Sequence, residues 1–174
     1  MNCAGIGPAA RIVGRDGGAM PLDAFERVVR VNLIGTFNVL RLAAARMAAL
    51  EPVGEDGERG LVVNTASIAA YEGQVGQCAY AASKAGVVGL TLPAARELAR
   101  SGVRVVTIAP GLIQTPMMDG LPPAAQESLR AMSLFPKRLG QAEEIARLVL
   151  AIVANPLLNG ETIRADGALR LPPQ

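Results

Sequence analysis

Two short apolar runs, LVVNTAS at 61–67 and VRVVTIAPG at 103–111, flank a long helical pattern from about Gln77 to Arg100. Runs of this length, rich in valine and ending in polar or turn-forming residues, read as strands buried on both faces of a parallel sheet. The opening MNCAGIG reads as the tail of a strand and a glycine turn, and residues 7–20 as a loop. From Pro21 to about Leu50 the apolar residues Phe25, Val28, Val29, Leu33, Phe37 and Leu40 recur at helical spacing. A polar turn at 51–60, a helix near 123–133, an amphipathic helix at 141–155 and a last strand at 161–167 complete the chain. Strand and helix alternate, so the expected class is α/β, one domain over 1–174 with a parallel sheet and helical crossovers.

In such sheets ligands bind beyond the carboxyl ends of the strands, which singles out Asn2, Ser67 and the turn 110–115. Composition restricts the chemistry available there. The 174 residues contain no histidine, which excludes Ser-His-Asp, Cys-His and histidine-metal sites, so proton transfer must use carboxylates, Lys, Tyr or Cys. The two cysteines, Cys3 and Cys78, have neither metal-ligand spacing nor the density of a disulfide scaffold, and no metal is expected. The net charge of +2 is scattered, so no nucleic-acid or membrane footprint is expected. No charge-free apolar window long enough to span a bilayer and no secretory signal stand out, so a soluble, cytoplasmic protein is expected.

Of the 17 basic residues only Lys84 and Lys137 are lysine, and Tyr71 and Tyr80 are the only tyrosines. Tyr80 and Lys84, four apart on a helix, present a phenol and an ammonium to the same space. A nearby cation favours the phenolate, so the pair is a workable acid/base device without histidine. The same spacing also suits a lysine that merely solvates a helix face. Ser67 lies thirteen residues before Tyr80 at a strand end, where a plain turn serine would also fit. Asn32 sits inside an apolar helix, where asparagine is mildly unfavourable; a satisfied buried amide is its simplest explanation.

YAASK after the serine of NTAS, preceded by NCAG and VNLIGTF and followed by APGLIQTP, resembles the short-chain dehydrogenase/reductase family over essentially the whole chain. GTFNVLRLAA, EGQVGQ, FPKRLG and NPLLNGETIR resemble its short-chain 3-hydroxyacyl-CoA dehydrogenase and hydroxysteroid dehydrogenase branch. The resemblance implies the C-terminal part of a Rossmann-like doubly wound sheet and hydride transfer between NAD, or alternatively NADP, and a secondary alcohol or ketone. It implies Tyr80 as general acid/base, Lys84 lowering its pKa and binding the nicotinamide ribose, Ser67 holding the substrate oxygen, and Asn32 anchoring a relay water. It places Asn2, Cys3, Ala4 and Gly5 near the adenosine ribose and Pro110, Gly111, Ile113 and Thr115 on the nicotinamide-side loop. Gln74 matches a substrate-side position, and residues 112–136, with Met117 and Met118, match a substrate lid.

Further expectations follow. Pro93 should kink the catalytic helix. Ala81, Ala82, Ala85, Gly86 and Gly89 make one helix side small, which the resemblance associates with a homotetramer or homodimer, and which packing against the sheet would equally explain. The glycine-rich pyrophosphate turn of the family does not occur in this sequence. The chain as it stands is therefore expected to bind cofactor weakly or not at all, to expose a sheet edge and to be poorly soluble. Met1 reads as an internal start of a longer enzyme; the competing reading is a non-catalytic interaction protein. Within the enzymes, a 3-oxoacyl carrier-protein reductase or another short-chain alcohol dehydrogenase is the alternative; Arg130, Lys137 and Arg138 could meet a carrier protein or CoA phosphates, but an ordinary solvated face is their simpler explanation.

Overall fold

A computed structural model describes residues 1–120 and 122–173. Three parallel strands, β1 (Gly60–Thr65), β2 (Val103–Pro110) and β3 (Thr162–Ala165), lie in the order β1-β2-β3. The register sets Thr65 opposite Ile108 and Ala109 opposite Arg164. β2 is central, so both of its faces are covered, and Val105, Val106, Ile108 and Ala109 are fully buried.

The period-two alternation of the strands sorts the core into two layers. On one face Val62, Val103 and Val105 pack with Leu40 of α2 (Gly35–Ala48) and Ala95 of α3 (Cys78–Leu98). On the other, Val63, Val106 and Ile108 pack with Ile152 of α6 (Ala142–Ala154). Burying a valine or isoleucine side chain contributes about 1.5–3 kcal/mol each, so these layers set the sheet's position.

The helix expected over 21–50 forms, but not as one regular helix. α1 (Leu22–Val29) passes through a π segment, Arg30–Ile34, before α2 begins. The widened turn contains Asn32, whose carbonyl accepts from Thr36 Oγ1 at 2.7 Å. Leu22–Ala48 has the length and apolar composition of a membrane span when a few charged residues are allowed, with mean hydropathy 1.3 over its best window, although its longest charge-free stretch is only residues 31–40. It packs one face on α3 and β1, and leaves Val31, Ile34, Phe37, Val39 and Leu42 exposed. β1 is an edge strand, bridged on its outer side by Asn2 alone among the described residues. The expected exposure of a sheet edge and of apolar helix surface is therefore present.

α3 runs through Pro93 to Leu98 without a break. Gly86 and Gly89 differ, although both lie on the small side of this helix. A Cβ on Gly86 would meet Leu33 Cδ2 at 2.6 Å, whereas one on Gly89 would meet nothing within 4 Å. Close packing accounts for Gly86; Ala82, Ala85 and Gly89 form an exposed stripe that continues to Leu92. Two short helices, α4 (Pro116–Asp119) and α5 (Pro123–Ala131), occupy the expected lid region. Leu121, the side chain of Met117 and Gln174 lie outside the described residues; Met118 is buried.

Candidate active site

The site is built where β1 ends. The strand stops at Thr65, and Ser67, in extended conformation, caps a 3-10 turn (Ile68–Ala70) by accepting from the Ala69 amide at 3.1 Å. The chain then loops through 71–77 into α3, whose first turns carry Tyr80 and Lys84. Tyr80 is half-buried and Lys84 is only 4% exposed. The Lys84 ammonium donates to the Thr65 carbonyl at 2.8 Å and lies 5.8 Å from the Tyr80 ring centroid. Phenol, serine hydroxyl and ammonium thus share one strand end.

Burial is the largest influence on both ionisable groups, and it acts in opposite directions. It pushes the Tyr80 phenol above its usual value, against a hydrogen bond with Ser67 that pulls it down. It brings the Lys84 ammonium down to about 8, opposed by its interaction with Cys3. Lys84 is not among the influences that shift the Tyr80 phenol in this arrangement. The ammonium is engaged by a backbone carbonyl rather than by the phenol oxygen, and desolvation of the phenolate dominates.

Asn32 joins the N-terminal turn to the catalytic helix. Its Oδ1 accepts from the Ile6 amide at 2.9 Å, and its Nδ2 donates to the Ile6 carbonyl at 2.9 Å and to Ser83 Oγ at 3.0 Å. Ser83 in turn donates to the Tyr80 carbonyl at 2.7 Å. Both Nδ2 hydrogens of Asn32 and one acceptor site of its Oδ1 are used in holding Ile6 and Ser83, as in a satisfied buried amide. Gly5 lies against both groups: a Cβ there would be 3.3 Å from Asn32 Oδ1 and 3.5 Å from Lys84 Nζ. Gly7 touches the Tyr80 ring, at 3.4 Å from an added Cβ.

Asn2 is pinned to β1 by its amide to the Val63 carbonyl and by its Nδ2 to Asn64 Oδ1, both at 2.8 Å. Asn2, Cys3 and Gly5 thus come to the same strand end as Lys84, and Ala4, between them, is exposed. Pro110 and Gly111 stand at the end of β2, where the Gly111 amide donates to Ala165 at 2.9 Å. A Cβ on Gly111 would lie 2.8 Å from the Asp166 Cα, so the close approach requires glycine. Ile113 bridges Gly140, and Thr115 caps α4 by accepting from the Met118 amide. Gln74, in the loop between Ser67 and Tyr80, donates from Nε2 to the Pro172 carbonyl at 3.2 Å.

Thr65, Ser83, Ile6 and Gly7 are site residues that sequence reasoning missed. Ser83 had a signal, a polar residue on the buried face of a helix beside Lys84. A contact made by the Thr65 carbonyl leaves none.

The sequence model of the short chain dehydrogenase family matches residues 1–126. The chain belongs to that family. It is 53% identical over 174 residues to the 3-hydroxyacyl-CoA dehydrogenase type-2 of Drosophila melanogaster, covering 99% of this chain and 68% of the relative. Identity to the Homo sapiens protein of that name is also 53%, with 66% of the relative covered. A crystal structure of 3-hydroxyacyl-CoA dehydrogenase type-2 from Mycobacterium avium superposes with a TM-score of 0.93 at 50% identity, over 99% of this chain and 66% of that one. A 3-oxoacyl-[acyl-carrier protein] reductase from Brucella melitensis with bound NAD superposes at 0.77 and 32% identity, over 98% of this chain and 61% of that one. The chain spans about two thirds of the length of these relatives.

The family uses a nicotinamide cofactor, and the site can be tested for its fit. At the carboxyl end of β1 the Asn64 Nδ2 and Thr65 Oγ1 are buried without a hydrogen-bond partner. The Lys84 ammonium carries three donors, of which one goes to the Thr65 carbonyl, and a Cβ on Gly5 would stand 3.5 Å from it, so a ligand rich in hydroxyls suits this strand end. The nicotinamide-ribose end of a dinucleotide fits this set.

Proposed function

We propose that this chain carries the catalytic part of a nicotinamide-dependent oxidoreductase acting on 3-hydroxyacyl-CoA and 3-oxoacyl-CoA. The carrying observation is the convergence of Ser67, Tyr80 and Lys84 at one strand end in a chain without histidine. The names of the 53% identical relatives support the substrate class.

When bound, the nicotinamide supplies or accepts the hydride. Lys84, with Asn2 and Gly5 nearby, would hold its ribose, and the loop 110–115 its carboxamide side. NAD is the preferred form, on the NAD-bound neighbour. Ser67 and Tyr80 direct their hydroxyls at the substrate oxygen, where negative charge develops during reduction. Burial keeps the Tyr80 phenol protonated near neutral pH, which suits it to deliver that proton. Asn32 and Ser83 fix the Tyr80 turn of α3 against the N-terminal turn, so the hydroxyl is preorganised. Residues 112–136 cover the substrate as a lid.

Self-association as a dimer or tetramer is part of this reading, supported by the exposed Ala82, Ala85, Gly89 and Leu92 stripe and by Ile34 and Phe37. A second reading, a 3-oxoacyl carrier-protein reductase, is supported by the names of the 37% and 32% identical reductases, and a basic cluster could take the phosphate of either acyl carrier. Arg130, Lys137 and Arg138 line a single polar cavity of about 560 Å³ with Gln114 and Glu127.

The test is NADH oxidation with acetoacetyl-CoA and with an acyl-carrier substrate, for the natural chain and for Tyr80→Phe. Turnover of the CoA substrate that falls by about 100-fold or more in the variant is expected. Full activity in Tyr80→Phe, or no NADH binding by the natural chain, refutes the proposal for this chain.

A further inference from the structure

The C-terminal tail lies alongside the loop that separates Ser67 from Tyr80. Glu72 Oε2 accepts from the Leu171 amide at 3.4 Å, Gln74 Nε2 donates to the Pro172 carbonyl, and the Val75 amide donates to the Pro173 carbonyl at 3.0 Å. Position by position the two segments run in the same direction, as a strap along the loop. One side chain ties both to the sheet. Arg164, on β3, donates from Nη1 and Nη2 to the two oxygens of Glu72 at 2.9 and 3.1 Å. Its Nε donates to Asp166 Oδ2 at 2.7 Å and Nη2 also to the Leu169 carbonyl at 3.2 Å. Its guanidinium lies 5.1 Å from the Tyr71 ring centroid. Arg170 adds contacts to the same two carboxylates, at 3.3 Å to Glu72 and 3.2 Å to Asp166.

Asp166 makes this more than a surface ion pair. Its Cα is the atom against which Gly111 packs, at the start of the loop 110–115. Arg164 therefore bridges the loop leading from Ser67 to Tyr80, through Glu72, and the loop leaving β2, through Asp166. Four of its five N–H directions are used in a planar fork that a lysine cannot copy. A partly exposed ion network contributes little to stability by itself, which leaves alignment of the two loops as what this geometry accomplishes.

We propose that Arg164 is a positioning residue: through Glu72 and Asp166 it holds the substrate-side loop 71–77 and its C-terminal strap in register with the cofactor-side loop 110–115. The inference rests on the oxidoreductase reading for its effect on turnover, but not for its effect on the loops.

Amide hydrogen exchange on Arg164→Lys and Arg164→Met, with steady-state kinetics on the same proteins, tests it. Exchange at Val75, Leu171 and Gly111 is expected to quicken about tenfold in both variants, with the β2 amides of Val105 and Val106 unchanged. The expected kinetic change is a fall in kcat of about 10- to 100-fold with the cofactor KM within about twofold. Rescue by Arg164→Lys, uniform loosening that includes β2, or loosened loops with unchanged kcat would each overturn the proposal. A natural chain without turnover counts against the proposed function; the exchange pattern then decides the clamp by itself.

Discussion

Arg104 and Arg164 sit on neighbouring strands, and each grips a glutamate from a loop, yet they stand at opposite ends of the sheet. Arg104, near the start of β2 and 7% exposed, pairs bidentately with Glu58 at 3.1 and 3.2 Å. It also donates to the carbonyls of Ile152, Val153, Asn155 and Leu158 at the end of α6. It thus satisfies a helix C-terminus and meets its negative dipole end. Arg164 grips loops instead of a helix end. At the same end of the sheet, two strands away on β1, Asn64 Nδ2 and Thr65 Oγ1 stay unpaired and the Lys84 ammonium is buried. The same ion-pair chemistry closes one end of the sheet and holds the other open for chemistry.

The contrast breaks most readily at Arg104. Arg104→Met leaves four carbonyls and Glu58 without their donor, at an expected cost of about 3 kcal/mol in urea denaturation. Turnover per folded molecule should be unchanged, because the partners of Arg104 among the described residues, Glu58 and the carbonyls at and just beyond the end of α6, lie outside the site. A cost below about 1 kcal/mol, or a loss of kcat at full folding, would show that the two ends are not divided in this way.

A smaller effect probes the open end. Burial holds Lys84 at about 8 when folded, against 10.5 in its usual state. Between those values the unfolded chain binds more protons than the folded one, so stability rises with pH across that window. Below about 8 the cost of the buried ammonium is fully present. Urea midpoints for the natural chain should therefore climb from pH 8 towards pH 10 relative to those of Lys84→Met. Parallel curves for the two proteins would contradict the depressed pKa.

The sheet and helix order was legible because strands buried on both faces and amphipathic helices leave distinct apolar periods. Tyr80, Lys84 and Ser67 were legible because rare residue types stood at a helical repeat and a strand end. The π segment was not, since Arg30–Ile34 has the same apolar spacing as the regular helix on either side. Arg104 sat within an apolar run and gave no sign that its head reaches α6. The direction of the Tyr80 shift depends on desolvation and on where the Lys84 ammonium turns, and neither is encoded in a four-residue spacing. The bond from Gln74 to the Pro172 carbonyl joins segments 98 residues apart, and no local pattern signals such a contact.

The smallest expected effect lies along α3, which spans the distance between the two ends. Gly→Ala in a helix interior gains about 0.5–1 kcal/mol when the new methyl group is unopposed. At Gly86 the methyl group must displace Leu33, so the gain is offset and the net change should be near zero. At Gly89 nothing stands within 4 Å, so Gly89→Ala should raise the stability of the isolated chain by about 1 kcal/mol. If the exposed Ala82, Ala85 and Gly89 stripe is the surface on which copies associate, that same methyl group obstructs close approach. Melting curves at low and high protein concentration separate the cases. A gain confined to dilute protein marks Gly89 as an interface glycine, and an equal gain at both concentrations marks the stripe as plain surface.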